Sequence, residues 1–193
     1  ETEFLVRMDA DDIMHPKKIE KQIKAFFDNP TIDVLGTNIY SIDENNKVVG
    51  IRDVTEGDKI VPVDRFWHPT IMARTSWFRN NPYDVQAERI EDIELWLSQK
   101  GRSNFQQLAE PLLFYREFGH QYWKKYFKGN RAVWYVLKKH HFSLPFLKFA
   151  FRYYLSGVLY FCFDKINMEQ VLIERRNKIK LPPKDYKQYI DEE

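Results

Sequence analysis

The chain has a single cysteine, Cys162, in 193 residues, so no internal disulfide is available and a reducing compartment suits it. It has no internal repeat and no low-complexity tract, which excludes solenoids and fibrous proteins. No stretch reads as a secretory signal. The first residue is Glu rather than Met, and an apolar, strand-like run starts almost at once, so upstream sequence is expected to be missing. No uninterrupted apolar run of about 20 residues is present, because Lys148 and Arg152 interrupt the best candidate, residues 144–163. Acidic residues are absent from residues 122–163, where eight Lys/Arg and fifteen of the thirty-one aromatics fall. The net charge is +2, so the remainder carries −6 and the chain divides into a mildly acidic body and a basic, aromatic region. What remains is ordinary for a globular protein: 44% hydrophobic and 30% charged residues.

The body alternates strand and helix patterns. Phe4-Leu5-Val6 reads as a strand ending in an acidic cluster. His15-Pro16 opens a helix in which Ile19, Ile23, Phe26 and Phe27 recur at helical spacing and which Asn29-Pro30 stops. Residues 33–43 and 47–54 read as a hairpin around Glu44-Asn45-Asn46, and residues 55–64 as a loop. Residues 68–74 read as a strand entered through Pro69 and broken by Asn80-Asn81-Pro82. Residues 89–100 read as a helix stopped by Gly101. Residues 105–116 read as two short strands broken at Glu110-Pro111. From Tyr122 the pattern is helical, and beyond Leu181-Pro182-Pro183 it is polar and frayed. This order predicts an α/β domain over residues 1–118, a helical extension over 119–181 and a polar tail over 182–193.

The cluster Asp9-Ala10-Asp11-Asp12 is the strongest chemical signal. In an extended strand Asp9 and Asp11 share a face, and the carboxyl end of a strand is where α/β sheets bind ligands. Two carboxylates and a diphosphate together suit Mg²⁺ or Mn²⁺. The plain alternative is that these residues cap the following helix, although three acids in four positions repel one another. An EF-hand is excluded, because its fifth and sixth positions would be Ile13 and Met14 where an oxygen ligand and a glycine are required.

The run from Phe4 to Asp12, followed by His15-Pro16-Lys17-Lys18-Ile19-Glu20-Lys21-Gln22, resembles the DXD segment of family 2 glycosyltransferases of the GT-A fold. Four further stretches agree in order: Ile32-Asp33-Val34-Leu35-Gly36-Thr37, Trp67-His68-Pro69-Thr70-Ile71-Met72, Arg89-Ile90-Glu91-Asp92-Ile93-Glu94-Leu95-Trp96-Leu97, and Glu110-Pro111-Leu112-Leu113-Phe114-Tyr115-Arg116. The resemblance covers residues 3–118 and implies a partial GT-A mixed sheet without the family's opening β-α-β unit. It also implies a metal-dependent, inverting transfer from a nucleotide-sugar donor to a glycan or lipid-linked acceptor, in cell-surface polysaccharide synthesis. Asp11 would be the principal metal ligand, with Asp9 near the metal and ribose. Asp92 would be the catalytic base. Glu91, Trp67, His68, Trp96 and Arg116 would contact substrate.

Other readings stay beside these. Glu91 and Asp92 also suit the positive end of a helix dipole. Trp67 and His68 also suit a packed strand start. Arg116 and His120 are as readily surface residues as diphosphate contacts. His140 and His141 are expected exposed, and Cys162 in a core or interface. The basic aromatic segment suits a helix lying at the inner face of the cell membrane, packing on the body with a solvated basic face, or, least well, a span. Nucleic acid is not expected as a partner, since no RRM, KH or zinc pattern accompanies the basic residues. Two rival functions are a non-catalytic membrane- or glycan-binding module and a metal-dependent nucleotide-sugar hydrolase.

Overall fold

The computed structural model describes residues 2–52, 66–117 and 121–191; the expected loop at 55–64 and His120 lie outside them. The chain folds as two compact units. One comprises Glu1–Asn81, Gly101–Phe118 and Arg176–Glu193; the other comprises Pro82–Lys100 and Gly119–Arg175. The expected division placed residues 82–100 with the sheet, whereas they belong to the helical unit.

The first unit is a mixed α/β structure, the class expected from the sequence. Its strands are β1 (Phe4–Val6), β2 (Ile13–Met14), β3 (Val34–Ile42), β4 (Lys47–Arg52), β5 (Met72–Arg74), β6 (Phe105–Arg116) and β7 (Ile179–Asp185). They hydrogen-bond in the order β1-β5-β3-β4-β7, with β6 joining β3 to β2. β3 is the hub. It pairs antiparallel with β5 at Val34 and Leu35 and with β4 from Ile39 to Ile42, and parallel with β6 along its other edge. Eight of its nine residues are buried, which explains a sequence rich in Val, Ile and Thr rather than one that alternates.

Helix α1 (Lys18–Asp28) covers the sheet. The expected inner face was Ile19, Ile23, Phe26 and Phe27. The fully buried positions are instead Lys18, Gln22 and Phe26, spaced four apart, while Ile19 and Ile23 are half-buried and Phe27 is 69% exposed. Two polar side chains can face inward because each finds backbone carbonyls. Gln22 Nε2 donates to Leu35 O (3.1 Å) and Thr70 O (2.9 Å), and Lys18 Nζ donates to Arg7 O (3.2 Å) and Pro69 O (3.1 Å).

Three further expectations are corrected. Residues 68–74 form a 3₁₀ turn, His68–Thr70, before the short β5, and a six-residue helix, α2 (Thr75–Asn80), follows and buries Trp77. β6 is one strand rather than two. Pro111 falls at a register shift against β3, and Asn38 Nδ2 donates to the bypassed carbonyl of Ala109 at 2.7 Å, so the missing proline N–H is absorbed by a bulge. The tail is not frayed. β7 pairs with β4 at an edge, where Pro182 and Pro183 fall at another register shift, and α8 (Gln188–Asp191) follows. Leu181, Tyr186, Tyr189 and Ile190 pack on Ile42, Val48 and Phe114.

The second unit holds α3 (Glu91–Gln99), α4 (Trp123–Lys128), α5 (Asn130–Lys139), α6 (Leu144–Lys165) and α7 (Glu169–Glu174). Its core is built on Ala87, Ile90, Ala132, Val133, Val136, Leu137, Phe146 and Ala150. Gly101, expected to stop α3, has φ +76°, a left-handed conformation that glycine adopts without cost. Glu94 of α3 is 4% exposed; its Oε1 accepts from Lys139 Nζ (3.0 Å) and Ser98 Oγ (3.0 Å) and lies 2.7 Å from His140 Nε2. His140, expected exposed, is half-buried and stacks on Phe146 with ring centroids 3.9 Å apart; His141 is exposed.

Candidate active site

Residues 9–12 form a tight turn between β1 and β2, closed by the Asp12 N–H donating to Asp9 O at 3.3 Å. The strand ends at Val6, so the alternation that put Asp9 and Asp11 on one face does not apply here. The capping alternative also fails: α1 begins at Lys18 and no side chain caps its N-terminus. Crowded carboxylates are relieved by a turn, in which each can point its own way and use neighbouring donors.

The three acids have different environments. Asp9 Oδ1 pairs with Arg7 at 3.0 Å. Asp11 is exposed, its main-chain oxygen accepts from Arg116 Nε at 2.8 Å, and its carboxylate has no partner among the described residues. Asp12 is 8% exposed; its Oδ1 accepts from the Arg116 backbone N–H at 2.9 Å, while the buried Oδ2 has no hydrogen-bond partner among the described residues. Burial pushes the Asp12 carboxyl up to about 6. The Arg116 N–H opposes that rise, and the charges of Asp11 and Asp9 add to it.

This environment has a consequence for pH. The ordinary carboxyl value is 3.8, so between there and about 6 the folded state holds a proton that the unfolded chain has lost. Stability therefore falls as pH rises through that window, by about 3 kcal/mol in total. Urea unfolding followed from pH 4 to 7 should show this fall. It should be flattened in Asp12→Asn, and an unchanged slope in that variant would refute the assignment.

The turn is framed by basic and aromatic groups of the same unit. Arg7 Nε donates to His68 Nε2 at 3.2 Å. Burial, and then the charge of Arg7, hold His68 down to about 4, so it is a neutral acceptor at pH 7. Arg52 lies over the rings of Trp67 (5.2 Å) and Tyr115 (5.5 Å) and pairs with buried Glu117, which Arg176 also contacts. Trp67 Nε1 is buried without a hydrogen-bond partner among the described residues. Lys18 lies beneath, bridging the exit of β1 to the 3₁₀ turn. Burial holds its ammonium down to about 8, against the pull of Asp12.

Of the residues singled out in the sequence, the sheet unit brings Asp9 and Asp11 onto one turn, with His68 tied to Arg7 and Arg116 tied to the turn's backbone. Arg7, Lys18, Arg52, Tyr115 and Glu117 were not anticipated. Arg7 and Lys18 stood inside the resembling stretch and signalled themselves only as charges beside a carboxylate cluster. Asp92 and Glu91 are in the helical unit, in the first turn of α3, where unpaired N–H groups favour an ionised carboxylate. Glu91 Oε2 is buried without a hydrogen-bond partner among the described residues. Trp96 corrects an expectation: it is 0% exposed, so its ring fills core rather than meeting a substrate. Of the two places expected for Cys162, the core is corrected, since it is exposed on α6.

The stretch that holds the acidic turn is similar in sequence to known proteins. Residues 1–95 match the model of glycosyl transferase family 2. Among similar proteins, an uncharacterised glycosyltransferase of Methanocaldococcus jannaschii is 28% identical over 91% of this chain and 65% of its own length. The O-antigen biosynthesis glycosyltransferase WbnJ of Escherichia coli is 30% identical over 58% of this chain and 47% of its own. A crystal structure of S. aureus TarS 1-349 in complex with UDP has a TM-score of 0.47 at 18% identity, covering 69% of this chain and 41% of that one. The chain spans less than two thirds of the length of these curated relatives. Glycosyl transfer is the role their names share. No group of three or more His, Cys, Asp or Glu among the described residues is disposed to hold a metal unaided.

Proposed function

We propose that this chain is the later part of a GT-A catalytic domain that transfers a sugar, with inversion and metal dependence, from a nucleotide-sugar to a glycan or lipid-linked acceptor. We place the reaction in cell-surface polysaccharide synthesis at the cytoplasmic face of a membrane. The observation that carries this reading is that the family-matched segment includes a turn with an exposed free carboxylate, Asp11, beside two acids in contrasting environments. Such a donor set fits Mg²⁺ or Mn²⁺ when substrate phosphates complete the coordination. Asp11 and Asp9 would hold the ion, which when bound neutralises charge on the departing nucleoside diphosphate. The orphaned Oδ2 of Asp12 supports a site designed to meet something positive.

The chain's own residues do the rest. Arg7 restrains Asp9, and Arg116 holds the turn through its backbone N–H and guanidinium. Trp67 and His68 offer an acceptor-side surface, with His68 supplied as a neutral acceptor. Asp92 takes the proton of the acceptor hydroxyl as that oxygen bonds to the anomeric carbon and the bond to the diphosphate breaks.

The test is a donor screen with Mn²⁺ on the protein. One nucleotide-sugar should yield an acceptor glycoside, with transfer lost in EDTA and restored by Mn²⁺. Sugar released only to water would favour the hydrolase reading. Donor or membrane binding with no turnover on any donor would favour a non-catalytic module.

A further inference from the structure

Helix α6 is apolar on two sides. Phe146, Ala150, Gly157 and Tyr160 face inward and are buried; Gly157 permits a close approach by Tyr126, whose Cβ would lie 3.0 Å from an added side-chain carbon. The opposite side carries Leu144, Leu147, Phe151, Leu155 and Val158, exposed by 63, 42, 70, 47 and 56%. Their spacing of three and four residues aligns them in one stripe about 20 Å long. Tyr154, Leu159 and Phe161 widen it. An apolar strip of this extent marks an interaction surface.

Charge identifies the occupant. Lys148 and Arg152, one turn apart and both exposed, flank the stripe. The lone acid of α6, Asp164, is half-buried and accepts from Trp123 Nε1 at 3.0 Å. The stripe is therefore bordered by positive charge and by no exposed carboxylate of its own helix. A second copy would offer Lys148 and Arg152 no acid from α6 to pair with. An aqueous surface leaves the leucines and Phe151 wet. No helix among the described residues is long and apolar enough to cross a membrane. We propose that this face of α6 lies on an anionic lipid bilayer, with the stripe in the headgroup–acyl boundary and Lys148 and Arg152 among the lipid phosphates. This deepens the membrane-surface part of the function proposed above, but it stands on the helix alone.

The test is co-sedimentation of the chain with vesicles of phosphatidylcholine alone or with 30% phosphatidylglycerol, a readout that needs no sugar transfer. A failed transfer assay therefore leaves it standing, and a failed vesicle assay leaves the transfer assay standing. The vesicles with phosphatidylglycerol should bind at low salt at least tenfold better than phosphatidylcholine alone, with the gain lost in high salt. Lys148→Glu with Arg152→Glu should weaken binding by about 25-fold or more. Phe151→Ser with Leu155→Ser should weaken it at least roughly tenfold with an unchanged thermal melt, since both positions are exposed. The proposal is overturned if neither vesicle binds at low salt, or if the Phe151/Leu155 variant binds as the parent does. It is equally overturned if the chain forms a dimer that this variant breaks while vesicles are ignored.

Discussion

Replacing Asp92 with asparagine should lower the turnover of sugar transfer by about a thousandfold, the usual weight of a positioned general base. Asparagine keeps the size and much of the hydrogen-bonding capacity of aspartate but cannot accept the acceptor's proton. The site is favourable for an ionised base. Asp92 lies in the first turn of α3, whose N-cap, Ile90, has no side chain able to satisfy the free N–H groups. The loss should appear in turnover with little change in donor affinity, because the donor's diphosphate is assigned to the acidic turn and not to α3. The helix should survive, since its dipole interaction with one carboxylate is worth only about 0.3–1 kcal/mol. Circular dichroism and vesicle binding should match the parent. A variant that kept more than a tenth of the turnover would remove Asp92 from the mechanism.

The second large effect concerns a residue with no assigned chemistry. Lys18→Met should destabilise the protein by about 2–4 kcal/mol, because it strips a donor from two carbonyls, Arg7 O and Pro69 O, at a fully buried position. Methionine fills similar volume, so a cavity contributes little. The effect should also carry a pH signature. Lys18 is held at about 8, below its ordinary 10.5, so over that range the unfolded state binds more protons. Stability from this group therefore rises with pH between about 8 and 10.5. Urea midpoints at pH 7.5 and 10 should move closer together in the variant than the contribution of Lys18 allows in the parent. An unchanged midpoint at pH 7.5 would show that the carbonyls find other donors. Transfer should fall as well, since Arg7 leads into the acidic turn and Pro69 adjoins His68.

Lys18 also shows where sequence reading stops. β1, the hairpin of β3 and β4, and α3 were legible, because their apolar spacing and their Gly and Asn-Asn punctuation follow simple periods. The inward side of α1 was not, since a pattern that sorts polar from apolar places Lys18 and Gln22 outside. Only the carbonyls waiting under the helix, supplied by Arg7 just after β1, by β3 and by the 3₁₀ turn, make them interior residues. The acidic cluster was legible as a candidate, but its shape was not, because alternation was extended beyond Val6. Trp96 was read as a substrate contact because it stands in a stretch that resembles the family, and burial cannot be seen from one helix. Pro111 and the Pro182-Pro183 pair were read as breaks. A bulge and a sheet edge let them stay in strands, and both depend on a partner distant in sequence.

The pairing of β4 with β7 has one more implication, for the order in which the molecule is made. Lys47 and Asp185 are partners across a long interval of chain that includes the whole helical unit. During synthesis the outer row of β4 amides stays open until the last strand emerges from the ribosome, and for that interval the nascent sheet has an adhesive margin. The late strand acts as a seal, applied only after the intervening helices have been produced.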